Sequence, residues 1–295
     1  MGCGMAIEDC FIQAGFPEHL FKNLLIGSSK VKSIIENKNI KATTLTGSEY
    51  AGSRVASVSG KELKKSVLEL GGADAFIVLD DAHLEEAAKW GVFSRMLNND
   101  QSCIAAKRLI LHQDIADKYM ALILKELENW KMGDPLDEDT RIGPLARPDL
   151  RSELQAQLED ALGKGARIIL GGKAIEGPGN YFEATVISEL KPNMKIYHEE
   201  TFGPVFAIYR VASAEEAIQV ANDSEFGLGA SLWTADLGKG IKLARQVESG
   251  AVFINGMTKS DPRLPFGGIK KSGFGRELSH YGIKEFVNIK TIWVK

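Results

Sequence analysis

Apolar and polar positions along this chain follow two periods that take turns. Ala75–Leu79, Arg108–Leu111, Val205–Val211, Gly229–Trp233 and Gly250–Ile254 are short, mostly apolar runs bounded by polar or turn-forming residues. Such runs predict strands buried on both faces. Ser66–Leu70 and the Thr-rich Lys41–Thr46 predict two more strands, and Asn23–Ile26 a short one. Ala166–Leu170 is a further apolar run, stopped by Gly171-Gly172. Between these segments, apolar residues recur at helical spacing in Ile7–Ala14, Glu49–Val58, Ala82–Leu97, Ile115–Trp130, Arg151–Leu162, Ser213–Asn222 and Asp236–Glu248, with Asp81 as the expected cap of the third. Strand and helix in turn predict an α/β fold with a parallel sheet covered by helices. Asn288–Val294 predicts a terminal strand, whose open edge suits a partner chain. The chain opens inside a helix, whereas a nucleotide-binding fold normally opens with a strand. This order predicts that the front of the fold is lacking.

Composition narrows the class. The 295 residues carry 36 Lys and Arg against 39 Asp and Glu, and 44% are apolar. These are values of a chain with a sizeable core, not of a disordered one. A pI near 6.0 without a basic stripe argues against nucleic acid as a partner. No apolar run approaches the roughly 20 residues of a membrane span, and no basic-then-apolar leader opens the chain. Met1-Gly2 invites a lipidation reading, but Ala6 stands where that motif wants Ser or Thr. The three cysteines, Cys3, Cys10 and Cys103, show no metal or disulfide spacing. A reducing, cytoplasmic setting without a metal is expected.

Chemistry concentrates in five segments. Cys103 closes the polar stretch Asn98-Asn99-Asp100-Gln101-Ser102, which suits an accessible thiol; a small buried hydrophobe is the bland alternative, and Cys3 and Cys10 receive only that one. Glu69 ends an apolar strand against Gly71-Gly72, an expensive place for a carboxylate without a purpose; a solvated strand-end glutamate is the bland alternative. A thiol with an acid to act as base would support covalent catalysis through a thioester. Thr46-Gly47-Ser48 joins a strand to a helix start, where amides and a hydroxyl can hold a pyrophosphate or simply cap the helix. Glu199-Glu200-Thr201-Phe202-Gly203-Pro204 sets an acid beside an aromatic, and Pro265-Phe266-Gly267-Gly268 is a glycine-dense loop.

In this order the five segments resemble the aldehyde dehydrogenase superfamily over essentially the whole length. Met132-Gly133-Asp134-Pro135, Asn222–Leu228 and Lys270–His280 resemble, more narrowly, its bacterial NAD(P)-dependent succinate-semialdehyde dehydrogenases. The resemblance implies a partial Rossmann-like cofactor domain (residues 1–70), an α/β catalytic thiol domain (71–271), and a C-terminal return segment with an oligomerisation strand (272–295). It implies Cys103 as nucleophile and Glu69 as the base that activates water. Gly47 and Ser48 would hold the pyrophosphate of NAD or NADP, Glu200 the nicotinamide ribose with Phe202 beside it, and Ser260 a substrate carboxylate, with Arg263 near. The partners implied are a small aldehyde and further copies of the chain in a homo-oligomer.

Two departures from the family pattern carry expectations of their own. The family's N-terminal part, with an oxyanion donor and a cofactor-contacting lysine, finds no match here. The chain alone is therefore expected to be poorly active and prone to aggregate, each lost oxyanion donor costing roughly 10²–10³ in rate. Asp100 stands where the family commonly has glycine, and its charge is expected to disfavour the Cys103 thiolate unless it faces solvent. Two other readings stand beside the leading one: an acylating dehydrogenase using coenzyme A, and a non-catalytic remnant that binds other subunits.

Overall fold

A computed structural model describes residues 1–295. In chain order the elements are α1 (Gly2–Gln13), α2 (Val31–Glu36), β1 (Ala42–Thr46), α3 (Glu49–Lys61), β2 (Lys65–Glu69), β3 (Ala75–Val78), α4 (Leu84–Met96), β4 (Arg108–His112), α5 (Gln113–Leu127), α6 (Pro148–Gly163), β5 (Arg167–Leu170), β6 (Thr185–Ser188), α7 (Lys195–His198), β7 (Val205–Val211), α8 (Ala214–Asn222), β8 (Phe226–Gly227), β9 (Gly229–Trp233), α9 (Leu237–Ala244), β10 (Ala251–Ile254), β11 (Ile269–Lys270), β12 (Gly273–Phe274) and α10 (Ser279–Glu285). They group into two compact units. One comprises residues 1–43 and 54–66, the other residues 44–53 and 67–295.

The smaller unit buries little. Its only buried hydrophobic side chain is Ile35, and every residue of α1 is at least partly exposed. Cys3 and Cys10 are exposed on that helix, not buried as their bland reading had it. The Lys64 ammonium ties the end of α2 by donating to the carbonyls of Ile35 and, at 2.8 Å, Asn37. Asn23–Ile26 forms no strand. Its apolar residues are exposed, and no neighbouring strand takes up their backbone groups.

The larger unit holds a seven-stranded sheet in the order β10-β9-β3-β4-β7-β6-β5, parallel except for the β5–β6 pair. Side-chain alternation along the central strands explains its two cores. Ile77, Ile110, Ala207, Tyr209 and Leu232 point to one face, where α6, α8 and α9 contribute Leu158, Ala217 and Leu243. Phe76, Val78, Leu109, Leu111 and Phe206 point to the other, covered by α4 and α5 through Val92, Tyr119 and Ile123. Burial on both faces is why β3, β4 and β9 read as continuous apolar runs.

Local sequence sets several helix starts. Ser213 Oγ accepts from the Glu216 amide at 3.1 Å, and Glu216 returns a carboxylate to the Ala212 amide at 2.6 Å. Asp236 caps α9 in the same way. Asp81 does not cap α4. Its carboxylate accepts from the Thr234 hydroxyl and the Ala235 and Asp236 amides instead, joining the ends of β3 and β9. A second sheet runs β1-β2-β12, with Glu69 opposite Gly273 and Leu68 opposite Phe274. Residues 288–295 form no strand in this chain, although Ile289, Ile292, Trp293 and Val294 are all exposed. A lone extended segment has no partner for its backbone groups, so the β pattern there has nothing to pair with.

Phe76 is fully buried at the centre of the sheet and packs on Trp233 with ring centroids 5.7 Å apart. Phe76→Ala is expected to cost about 3–5 kcal/mol of stability, read as a lowered urea midpoint.

Candidate active site

The site begins with two glycines. After β2 the chain runs through Gly71 and Gly72, and a Cβ on Gly72 would lie 2.2 Å from the Cys103 carbonyl oxygen. Only glycine allows that backbone approach. Ser272, fully buried, holds the segment from the other side. Its hydroxyl donates to the Gly71 carbonyl at 2.7 Å, and its own carbonyl accepts from the Leu70 amide.

Glu69 is 2% exposed, and neither of its carboxylate oxygens has a hydrogen-bond partner in the protein. Buried carboxylates are rarely left so. Burial, reinforced by the negative charge of Glu277 and opposed by Arg276, pushes its pKa up to about 7. Gly267 lies against it, since a Cβ there would sit 2.9 Å from Oε1. The Pro265–Gly268 loop is thereby brought to Glu69.

Cys103 is partly exposed, unlike a core cysteine. Burial of its sulfur and the charge of Asp74 push the thiol up to about 11; Lys107 pulls it down, and Glu200 and Glu69 push it up. The Glu69 carboxylate is thus one of the charges acting on the thiol. Asp74 is wholly buried, accepts from the Gly229 amide at 2.9 Å, and is pushed up to about 6 by its burial.

Glu200 reaches the same place from the turn before β7. Its Oε1 accepts from the Gly72 amide at 3.1 Å and from the Lys107 ammonium at 3.0 Å. Phe202 lies under that ammonium, 5.0 Å from it to the ring centroid. Gly47 and Ser48 are exposed at the start of α3, where Ser48 Oγ accepts from the Ala51 amide at 3.3 Å, the bond of a helix cap. Ser260 lies on an exposed loop. Arg263 is held bidentate by Asp261, through contacts of 2.9 and 2.6 Å, so its charge is already paired.

Asp100 departs from the solvent-facing expectation. It does not face solvent: it is completely buried, in ion-pair contact with Arg95 at 2.6 Å. Its second oxygen accepts from the Gly203 amide at 3.1 Å. The largest charged influences that raise the thiol are Asp74, Glu200 and Glu69. Burial pushes the Asp100 carboxyl up, and Arg95 and Lys107 pull it back. Arg95 donates onward to the Thr201 hydroxyl and the Gly203 carbonyl, tying the cysteine turn to the turn of Glu200. Asn98, Asn99 and Asp100 all have left-handed backbone, with φ of 56°, 54° and 61°.

Sequence reading passed over Lys107, Asp74 and Arg95. The available signal was a charged residue inside an apolar stretch, as in Ala105-Ala106-Lys107-Arg108-Leu109.

The aldehyde dehydrogenase family profile matches residues 2–292. The chain belongs to the aldehyde dehydrogenase family. A probable succinate-semialdehyde dehydrogenase [NADP(+)] of Synechocystis sp. is 51% identical over 292 residues, 99% of this chain and 64% of the relative. The Mycobacterium ulcerans succinate-semialdehyde dehydrogenase [NADP(+)] 1 is 48% identical, over 98% of this chain and 63% of its own length. The crystal structure of succinic semialdehyde dehydrogenase from Streptococcus pyogenes in complex with NADP+ superposes with a TM-score of 0.96 at 41% identity, covering 99% of this chain and 64% of that one. The chain therefore spans about 64% of the length of such relatives.

Removing the Asp100 carboxylate leaves Arg95 charged and unpaired in the interior. Asp100→Ala is expected to lose about 3–5 kcal/mol of stability. Asp100→Gly is expected to recover about 1 kcal/mol of that loss through its tolerance of left-handed backbone. Urea unfolding of the two variants side by side checks both.

Proposed function

We propose that this chain carries the thiol chemistry of an aldehyde oxidation, with succinate semialdehyde as substrate and NADP+ or NAD+ as oxidant. The carrying observation is the unpaired, buried Glu69 carboxylate whose charge acts on a partly exposed Cys103. The names of the relatives support the substrate and the oxidant. In this reading residues 71–271 form the thiol domain, residues 1–70 contribute to cofactor binding, and residues 272–295 return to an oligomer contact.

The residues present fit a nicotinamide dinucleotide. Glu200 is held facing the thiol turn, and a Cβ on Gly71 would close to 2.6 Å of its Oε2, so the glycine keeps that carboxylate approachable. Glu200 would hold ribose hydroxyls, Phe202 would flank the nicotinamide, and Gly47 and Ser48 would meet the pyrophosphate. Ser260 would receive the carboxylate end of the substrate.

Cys103 must lose its proton before its sulfur adds to the aldehyde carbon and forms a thiohemiacetal. When bound, the nicotinamide supplies the acceptor for the hydride leaving that carbon, and Cys103 is left as an acyl thioester. Glu69 then takes a proton from water as the oxygen attacks the thioester carbonyl. The C–S bond breaks, the acid leaves, and the thiol is restored. Glu69 serves as base only when ionised.

The test is incubation of the chain with succinate semialdehyde and NADP+ or NAD+, followed by NAD(P)H absorbance and the mass of Cys103. Slow NAD(P)H formation that is abolished in Cys103→Ala is expected, with an acyl group accumulating on Cys103 in Glu69→Gln. Neither NAD(P)H nor acylated Cys103 in any variant would reject the reading. Because the Glu69 carboxyl is raised to about 7, decay of the acyl thioester is expected to accelerate as pH rises through about 7. That rise should be absent in Glu69→Gln.

A further inference from the structure

Lys107 is the one ammonium drawn into the thiol site, and its place there is built from both sides. The side chain is 1% exposed and follows the thiol turn by four residues. Its Nζ donates to the Ser102 carbonyl at 2.8 Å, the peptide oxygen that immediately precedes Cys103. The same nitrogen meets Glu200 Oε1 at 3.0 Å and the Thr201 carbonyl at 3.4 Å, and lies over the Phe202 ring. One cation thus joins the nucleophile turn to the segment of Glu200.

We propose that Lys107 is a positioning residue whose ammonium, shared between the Ser102 carbonyl and the Glu200 carboxylate, sets how readily Cys103 ionises and makes that ionisation answer to whatever engages Glu200.

The inference rests on the function reading above for the meaning of Glu200, but not for its chemistry. The charged groups acting on the thiol are Asp74, Glu200 and Glu69, which disfavour the thiolate, and Lys107, which favours it. Lys107 in turn acts on Asp74 and Asp100. Glu200 neutralises part of the ammonium it binds. A ligand that donates hydrogen bonds to the Glu200 carboxylate loosens that pairing and leaves more positive field for the sulfur. A buried ammonium bonded to the peptide oxygen next to the cysteine is placed to move the thiol's titration.

The experiment is the rate of iodoacetamide alkylation of Cys103 against pH, in a Cys3→Ser, Cys10→Ser background that removes the two exposed thiols. It needs neither turnover nor cofactor, so a failure of the dehydrogenase reading leaves it readable. Lys107→Met is expected to move the alkylation midpoint upward and to slow labelling at pH 8 by about tenfold or more, since one pH unit of displacement changes the thiolate fraction about tenfold. Glu200→Gln removes a like charge and frees the ammonium, so its midpoint moves downward and labelling accelerates. An unchanged midpoint in a folded Lys107→Met chain would overturn the proposal, as would an upward or absent shift in Glu200→Gln. If Lys107→Met does not fold, the direction in Glu200→Gln decides alone. A merely structural lysine predicts a lowered melting temperature with no opposed pair of titration shifts.

Discussion

The whole site depends on a contact in which no side chain takes part. The backbone at Gly72 lies against the Cys103 carbonyl so closely that a single added carbon would overlap it. That contact fixes the end of β2 to the cysteine turn. Everything else follows from position: Glu69 is three residues before Gly72, and the Gly72 amide is one of the two donors that orient Glu200. Gly71 leaves room for the same carboxylate. Two residues without side chains therefore determine where two carboxylates stand relative to one sulfur. Ser272, from far along the chain, holds the pair flat through the Gly71 carbonyl.

The charges gathered there are arranged against an ionised resting thiol. Three carboxylates, Asp74, Glu200 and Glu69, oppose one ammonium, and burial opposes the thiolate further. A sulfur held protonated is a poor nucleophile, but it is also slow to oxidise or to be alkylated. The same burial leaves Glu69 half-ionised near neutrality, where a base can both take and release a proton. Thiol and base are thus tuned in one direction, by burial first and by neighbouring carboxylates after it. Only Lys107 works the other way, and it does so while tied to Glu200.

Much of this architecture was legible in the sequence, for a reason particular to parallel sheets. Val205–Val211 and Gly229–Trp233 coincide with their strands because burial on both faces keeps them mostly apolar, Arg210 being the one exposed position. β6 escaped notice because only Val186 and Ile187 of Thr185–Ser188 are apolar, too short a run to stand out. The Asn23–Ile26 reading failed where a β pattern exists without a neighbour to bond it, and residues 288–294 have no such neighbour within this single chain. The glycine pair beside Glu69 was legible because a carboxylate on an apolar strand is costly. Lys107 was legible only in part: cations inside an apolar stretch mark the place, but Ala-Ala-Lys-Arg does not tell which of the two turns inward, and here both do.

Asp100 shows what spacing along a chain cannot reveal. Three residues from the thiol in sequence, it was expected to act on the thiol or to point to water. Left-handed backbone at Asn98, Asn99 and Asp100 turns the carboxylate away, into the interior. Such backbone costs about 1–2 kcal/mol at each non-glycine residue, so something must hold it. Each residue of the turn has its own anchor. Asn98 exchanges hydrogen bonds with Gln101, Asn99 bonds the Gly143 amide and the Pro144 carbonyl, and Asp100 bonds Arg95 and the Gly203 amide. Asparagine and aspartate are the residues whose short polar side chains make this conformation tolerable. The unusual aspartate is thus part of a strained turn held by its surroundings, and that turn is what delivers Cys103 to the glycines.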